Sequence, residues 1–124
     1  MNNSGLAARQ ALRSYRFDVS KMLVVCDTLD LSPGACRLKR GGKNAGHNGL
    51  KSIIGSTGSG DFMRLYVGVG HPGNQAAVVD WVLGEPEEND AGKIDGAVSR
   101  AADAVLSLLT QEIEQVMNEL NRKR

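Results

Sequence analysis

The chain has 124 residues, of which 41% are hydrophobic and 23% charged, and its formal net charge is +1. This length predicts one domain with a substantial core, at the small end for an α/β enzyme. No apolar segment approaches the roughly 18 residues that span a bilayer, and no charged-then-apolar signal pattern opens the sequence. We therefore expect a cytoplasmic protein without a membrane partner.

The small net charge hides an uneven distribution along the chain. Residues 1–75 hold ten Lys and Arg against four Asp and Glu, whereas residues 76–124 hold five against ten. Because a basic surface steers polyanions toward one face, this asymmetry favours RNA as a partner. The two cysteines, Cys26 and Cys36, have no zinc-ligand spacing with His, which is typical of reduced thiols in an intracellular protein.

Apolar periodicity predicts the elements in chain order. The predicted helices are Ser4 to about Tyr15 with Ser4 as cap, Asn48 to about Ile54, about Asn89 to Thr110, and a last one from Ile113 to Arg122, Lys123 and Arg124. The predicted strands are Met22 to Cys26, Cys36 to Arg40, Phe62 to Val69 and Val78 to Leu83, with a turn at Ser56 to Asp61. This order predicts a mixed-sheet α/β fold.

Asp27 directly follows the first apolar strand. Open α/β sheets place functional groups at the carboxyl ends of strands. A carboxylate at this position can orient a His base and stabilise the imidazolium that forms. The alternative is a turn Asp that bonds its own backbone.

His47 and Asn48 begin a predicted helix and place a titratable ring and an amide beside backbone N–H donors. Such a position suits a carbonyl or a phosphate. The alternatives are an N-cap role for Asn48 and a half-exposed loop position for His47.

The loop before this helix combines glycine with positive charge. Gly41, Gly42 and Gly46 allow a ligand to approach the backbone closely. The cations of this segment are Arg37, Lys39, Arg40, Lys43 and Lys51, with no acid from Leu31 to Lys51. This pattern indicates a phosphate-facing site, and a solvated surface is the alternative.

Three other motifs are weaker. The loop lacks the Gly-Lys-Ser/Thr ending of a P-loop. Gly68, Gly70 and Gly73 match G-x-G-x-x-G, but a strand rather than a crossover helix is predicted next, so a dinucleotide site is not expected. Cys26 with His47 could form a thiol hydrolase pair, although a Cys that ends an apolar strand is more often a small buried hydrophobe.

Four ordered segments resemble the bacterial-type peptidyl-tRNA hydrolases. They read MNNSG from Met1, LVVCDTLDLSPG from Leu23, RLKRGGKNAGHNGL from Arg37 and FMRLYVGVGHPG from Phe62. The resemblance covers essentially the whole chain, residues 1–124, and implies a single α/β domain with a twisted mixed sheet flanked by helices. It implies hydrolysis of the ester between a peptide and the 3′ end of tRNA, which recycles tRNA in translation, with no cofactor or metal.

The resemblance also implies roles for individual residues. Asp27 matches the Asp that orients the family's His base, and Asn2 and Asn48 match amides that hold the peptide and polarise its carbonyl. His47 and Met1 match residues that line the active-site cleft. The basic loop is expected to bind the tRNA acceptor end through Gly46, Lys39, Arg40 and Lys43.

The chain departs from the family pattern at its start. The family's base lies in a Thr-Arg-His-Asn motif that follows a strand and a Gly-Asn-Pro-Gly turn, and these 124 residues contain no match to it. His47 and His71 match other family positions, so we expect the isolated chain to be impaired. An internal start, a truncated gene or a deliberate cut would explain why Met1 coincides with the family's Met-Asn motif. Tyr66 and Gln75 replace common basic tRNA contacts.

Absence of the N-terminal strand is expected to expose an apolar sheet edge and cause self-association or poor solubility, unless a partner supplies the missing strand. Two other functions fit the sequence. The first is a non-catalytic RNA-binding protein on the same fold, which would use the basic loop and residues Arg122 to Arg124. The second is a subunit completed by another chain that supplies the strand and the His, although no feature of the sequence indicates it.

Overall fold

A computed structural model describes residues 3–44, 47–71 and 88–122, with residues 88, 89 and 122 described in backbone only. The elements are α1 (Ser4–Tyr15), a short 3-10 helix (Val19–Lys21), β1 (Leu23–Thr28), β2 (Cys36–Arg40), α2 (Asn48–Thr57), β3 (Met63–Gly68), α3 (Glu88–Ser107) and α4 (Ile113–Arg122). The predicted α/β fold with a mixed sheet is confirmed. None of the described helices has the length and apolar character needed to cross a bilayer.

The described strands form one sheet in the order β1-β3-β2. At one end of β3 the N–H of Met63 donates to the carbonyl of Met22 (3.1 Å). Beyond its other end the N–H of Val69 donates to the carbonyl of Thr28 (3.0 Å). Because the residue numbers rise together along both strands, β1 and β3 are parallel.

β2 runs antiparallel to β3. The N–H of Gly68 donates to the carbonyl of Ala35 (2.8 Å), and that of Gly41 donates to Phe62 (2.9 Å), so the numbers run in opposite directions. The side chain of Asn121 pairs with the backbone of Leu38 in β2, accepting at 2.9 Å and donating at 3.2 Å. This amide satisfies backbone groups of β2 that would otherwise face outward.

The chain forms two compact units, one of Met1–Cys26 with Lys39–Arg64 and one of Asp27–Leu38 with Leu65–Arg124. In the first unit α1 packs against α2. The N–H of Gly5 donates to the hydroxyl of Ser52 (2.9 Å), and Leu50 and Ile53 of α2 are buried. A Cβ at Gly5 would overlap the backbone of Ser52, so glycine is needed for this close approach.

In the second unit α3 contacts α4. Its buried residues on α3 are alanines, namely Ala97, Ala101 and Ala104. They share the core with Val116 and Leu120 of α4, which are also buried. Val98 of the predicted apolar stripe, in contrast, is 51% exposed.

Two predicted helix boundaries need correction. Ser4 does not cap α1, because the N-cap is Asn3, whose carbonyl accepts from the N–H of Ala7 (3.4 Å). α2 continues past Ile54 to Thr57 and ends at Gly58, which has φ of 79° and donates to the carbonyl of Ile54 (2.8 Å). The predicted turn from Ser56 therefore begins later.

The observed strand boundaries also differ in part from the predicted ones. β1 extends to Thr28, because the N–H of Val69 donates to the carbonyl of Thr28 and continues the pairing with β3. Asp27 therefore lies inside the strand and not after it. The predicted strand Val78 to Leu83 lies outside the described residues. The bounds of β2 agree with the prediction.

Candidate anion-binding site

The basic loop begins where β2 ends, at the exposed residues Lys39 and Arg40. The chain then turns through Gly41 and Gly42, with φ of 72° and 129°. A side chain at these φ values would be strained, which explains the two glycines. Lys43 follows and is exposed. The loop therefore presents its cations to solvent.

Arg64 anchors the backbone of this loop through hydrogen bonds. This residue of β3 is 0% exposed. Its guanidinium donates to the carbonyl of Lys43, to that of Gly42 (2.5 Å) and to that of Gly60 (2.9 Å). Hydrogen bonds from a charged donor contribute about 1.5–3 kcal/mol each, so this network fixes the loop backbone.

The charge of Arg64 also lies over an aromatic ring. Its Cζ is 4.6 Å from the centroid of Phe62, a distance at which the ring face attracts a cation. Sequence reasoning missed this residue. Its signal was a lone Arg inside the apolar strand Phe62 to Val69, where a charge stays only if partners surround it.

His47 is the N-cap of α2, with an extended backbone at φ of −79° and ψ of 118°. Its Nδ1 accepts from the N–H of Leu50 (3.1 Å), so the neutral ring carries its proton on Nε2. Its carbonyl accepts from the N–H of Lys51 (2.9 Å). The cap is therefore His47 and not Asn48, and the ring is half-buried.

Asn48 is the first residue of α2, and its side chain is exposed. The positive end of the helix dipole lies here. An amide beside this end can donate to a carbonyl or phosphate oxygen that approaches the helix. No acidic residue occupies the first turn of α2 to compete for these donors.

The first unit contains five of the predicted site residues, namely Lys39, Arg40, Lys43, His47 and Asn48. Asp27 belongs to the second unit, where it is half-buried in β1. Met1, Asn2 and Gly46 lie outside the described residues.

The other motifs have structural explanations. Gly68 ends β3, and a Cβ there would lie 2.7 Å from the Cβ of Leu31, so packing requires this glycine. Cys36 is buried and Cys26 is half-buried. Within residues 3–44, 47–71 and 88–122, no group of three His, Cys, Asp or Glu side chains could hold a metal ion.

The sheet and the fixed loop define an α/β protein whose first unit carries exposed cations and a helix N-terminus, two features that suit an anionic ligand. The chain belongs to the peptidyl-tRNA hydrolase family, because the family's sequence model, described as peptidyl-tRNA hydrolase, matches residues 1–124.

Similar proteins carry the same description. The peptidyl-tRNA hydrolase of Methylococcus capsulatus is 45% identical over 121 residues, covering 98% of this chain and 65% of that protein. That of Methylobacillus flagellatus is 43% identical over 123 residues, covering 99% and 64%. The crystal structure of peptidyl-tRNA hydrolase from Acinetobacter baumannii has a TM-score of 0.93 at 36% identity, covering 100% of this chain and 63% of that one. The chain thus spans just under two thirds of the length of these relatives.

Proposed function

We propose that the chain acts in the cytoplasm on peptidyl-tRNA and hydrolyses the ester between the peptide and the 3′ end of the tRNA. Membership of the family supports this reaction. The observation that carries the proposal is the loop held by Arg64, which leads from the exposed cations to His47 and Asn48 at the start of α2.

Binding is proposed to use Lys39, Arg40 and Lys43, whose side chains are exposed on a loop of fixed backbone. Cations that neutralise RNA phosphates release counterions, so affinity falls with salt. Three contacts at the acceptor end correspond to a slope of log K against log salt of about −2 to −3.

The proposed chemistry is general-base hydrolysis. A base takes a proton from water as the water oxygen adds to the ester carbonyl, and the bond to the ribose 3′ oxygen then breaks as that oxygen takes the proton. Asn48 is proposed to donate its amide N–H to the carbonyl oxygen as charge develops there. Asp27 is proposed to orient the imidazole that serves as base.

The resemblance assigns that base to a His without a counterpart in these 124 residues. General-base catalysis contributes roughly 10² to 10⁴ in rate. We therefore expect the 124-residue chain to release peptide more slowly than a family member with the His by about this factor. Imidazole in solution should restore part of the rate if Asp27 orients such a ring.

The test is release of a labelled peptide from an N-blocked aminoacyl-tRNA, with and without imidazole. We expect imidazole to stimulate release by the chain, the Asp27→Ala variant to lose this stimulation, and Asn48→Ala to slow it by about 10². Lys21→Gln is the control, because Lys21 is an exposed cation on the 3-10 helix. Circular dichroism checks that each variant is folded.

Release that stays at the buffer rate with and without imidazole would contradict the hydrolase proposal for this chain. If tRNA binding then persisted with the salt slope above, the chain would be the non-catalytic RNA-binding protein that is the alternative. Release unaffected by Asp27→Ala would contradict the role proposed for that carboxylate.

A further inference from the structure

The turn after α2 contacts the same guanidinium as the basic loop before it. The carbonyl of Gly60 accepts from the N–H of Phe62 (3.0 Å) and from Arg64 (2.9 Å). Arg64 also donates to the carbonyls of Gly42 and Lys43. One side chain therefore joins the backbone that precedes α2 to the backbone that follows it, and all of these residues belong to the first unit.

Gly60 leaves no room for a side chain between the turn and the loop. A Cβ there would lie 2.5 Å from the carbonyl oxygen of Gly42 and 3.1 Å from Nη2 of Arg64. The first distance is too short for any real contact, so the loop backbone would have to shift. The close approach of the turn to the loop therefore requires glycine at this position.

Arg64 has no exposed surface through which it could bind a ligand. It is 0% exposed, and its Cζ lies 4.6 Å from the ring centroid of Phe62. Lys43, in contrast, is exposed on the loop whose carbonyl Arg64 holds. Any effect of Arg64 on binding must therefore pass through the backbone of the loop.

The loop contains two adjacent glycines and is costly to order. Gly41 and Gly42 have φ of 72° and 129°, and glycine loses more conformational freedom on folding than any other residue. Fixing the backbone of one residue on binding lowers affinity by a factor of about 10. Because the bonds from Arg64 order the loop during folding, a ligand does not have to order it again.

We infer that Arg64 and Gly60 are positioning residues for tRNA binding. They hold the loop in its binding conformation in the free protein and make no contact with the RNA. The inference rests on the proposed binding of the tRNA acceptor end by the loop cations. It adds that affinity for tRNA depends on the order of the free loop as well as on its charge.

The first test measures the backbone order of Gly42 and Lys43 in the free chain by NMR relaxation. In the unchanged chain we expect order parameters near about 0.85, which is typical of rigid backbone, and in two variants values below about 0.6. Arg64→Lys keeps the charge but loses the planar guanidinium that spans three carbonyls. Gly60→Ala keeps every charge and displaces the loop. A flexible loop in the unchanged chain would overturn the inference.

The second test measures the dissociation constant of tRNA over a range of salt concentrations. Arg64→Lys and Gly60→Ala should each weaken binding about 10-fold or more. The slope of log K against log salt should stay unchanged, because the same cations reach the phosphates once the loop is ordered on the RNA. Lys43→Gln removes a proposed contact and should instead make this slope shallower by about 0.7–0.9.

Gly55→Ala is the matched control for Gly60→Ala. It makes the same substitution in the same unit, at a position where a Cβ meets nothing within 4 Å. This variant should bind tRNA as tightly as the unchanged chain. Partial unfolding would lower the amount of tRNA bound at saturation and leave the dissociation constant of the folded chain unchanged, so it is distinguished from lost positioning.

Three results would overturn the inference. Binding by Arg64→Lys and Gly60→Ala as tight as that by Gly55→Ala would do so and would leave the proposed function standing. A shallower salt slope in these two variants would mean that phosphate contacts, and not loop order, were lost. No salt-dependent tRNA binding by the unchanged chain would overturn the proposed function as well. Because Gly60→Ala retains Arg64, it decides the question even if Arg64→Lys does not fold.

Discussion

Gly5 marks the closest approach of α1 to α2, and a single methyl group there should destabilise the first unit. Gly5 is buried, and its N–H donates to the hydroxyl of Ser52 (2.9 Å). A Cβ at this position would overlap the backbone carbonyl of Ser52 and lie 2.5 Å from the hydroxyl of Ser56. A backbone group cannot move aside as a flexible side chain can, so the helices must separate.

The magnitude of the Gly5→Ala effect follows from three contributions. Overpacking costs about 1–3 kcal/mol, and loss of the hydrogen bond to Ser52 costs about 1 kcal/mol. Alanine in place of glycine in a helix returns about 0.5–1 kcal/mol. The net destabilisation is about 2 kcal/mol.

Gly55 of α2 is the matched control, because it is exposed and a Cβ there meets nothing within 4 Å. Gly55→Ala should stabilise the chain by about 0.5–1 kcal/mol.

Urea unfolding of the two variants measures this difference of about 3 kcal/mol, which at ordinary m-values separates their midpoints by about 1–3 M. The unchanged chain should fall between them. Equal midpoints for Gly5→Ala and Gly55→Ala would refute the close packing of α1 on α2.

Three further predictions concern single side chains. His47→Ala should destabilise the chain by about 1 kcal/mol through loss of the cap, while His47→Asn should retain stability; equal midpoints in urea would count against the cap. The hydroxyl of Ser20 donates to Asp18 (2.6 Å) and lowers the pKa of that carboxyl. Ser20→Ala should raise this pKa toward its ordinary value in an NMR titration, and an unchanged value would contradict the assignment. The pKa of Asp18 is lower in the folded chain than its ordinary value, so the charged carboxylate stabilises the fold. This stabilisation is fully present above the ordinary pKa and is lost as the pH falls through the folded-state pKa. Val25 is 56% exposed on β1, an edge of the described sheet, so Val25→Lys should reduce self-association in sedimentation velocity. A chain that sediments as a monomer without the substitution would argue against association at this edge.

The sequence predicts elements whose pattern is local and misplaces boundaries that depend on distant partners. The bounds of β2 agree because its residues from Cys36 to Arg40 lie between turn residues. The end of β1 depends on pairing between Thr28 and Val69, which no local pattern records. α2 passes Gly55 because this glycine faces solvent and stays helical, whereas Gly58 adopts the positive φ that ends the helix.

The candidate site likewise combines features that a local sequence pattern predicts with features that depend on distant partners. The basic loop and His47 with Asn48 stand out because glycine, charge and a helix start lie next to each other in the sequence. The cap could not be assigned between His47 and Asn48, since the ring acceptor of His47 competes with the shorter amide. Arg64 stands out as a lone charge in an apolar strand, but its partners could not be predicted, because two of its acceptors lie 21 and 22 residues away in the loop.

The anchoring of the loop by Arg64 strengthens the link between the loop and β3. Its guanidinium bonds to Gly42 and Lys43 require β3 to be in place, so amide exchange from the loop should share the opening free energy of that strand. By the same linkage, a ligand that binds only the closed loop stabilises β3 against opening by RT ln(1 + [L]/Kd). Occupancy of a surface loop can therefore be measured as slower hydrogen exchange in the buried strand beneath it.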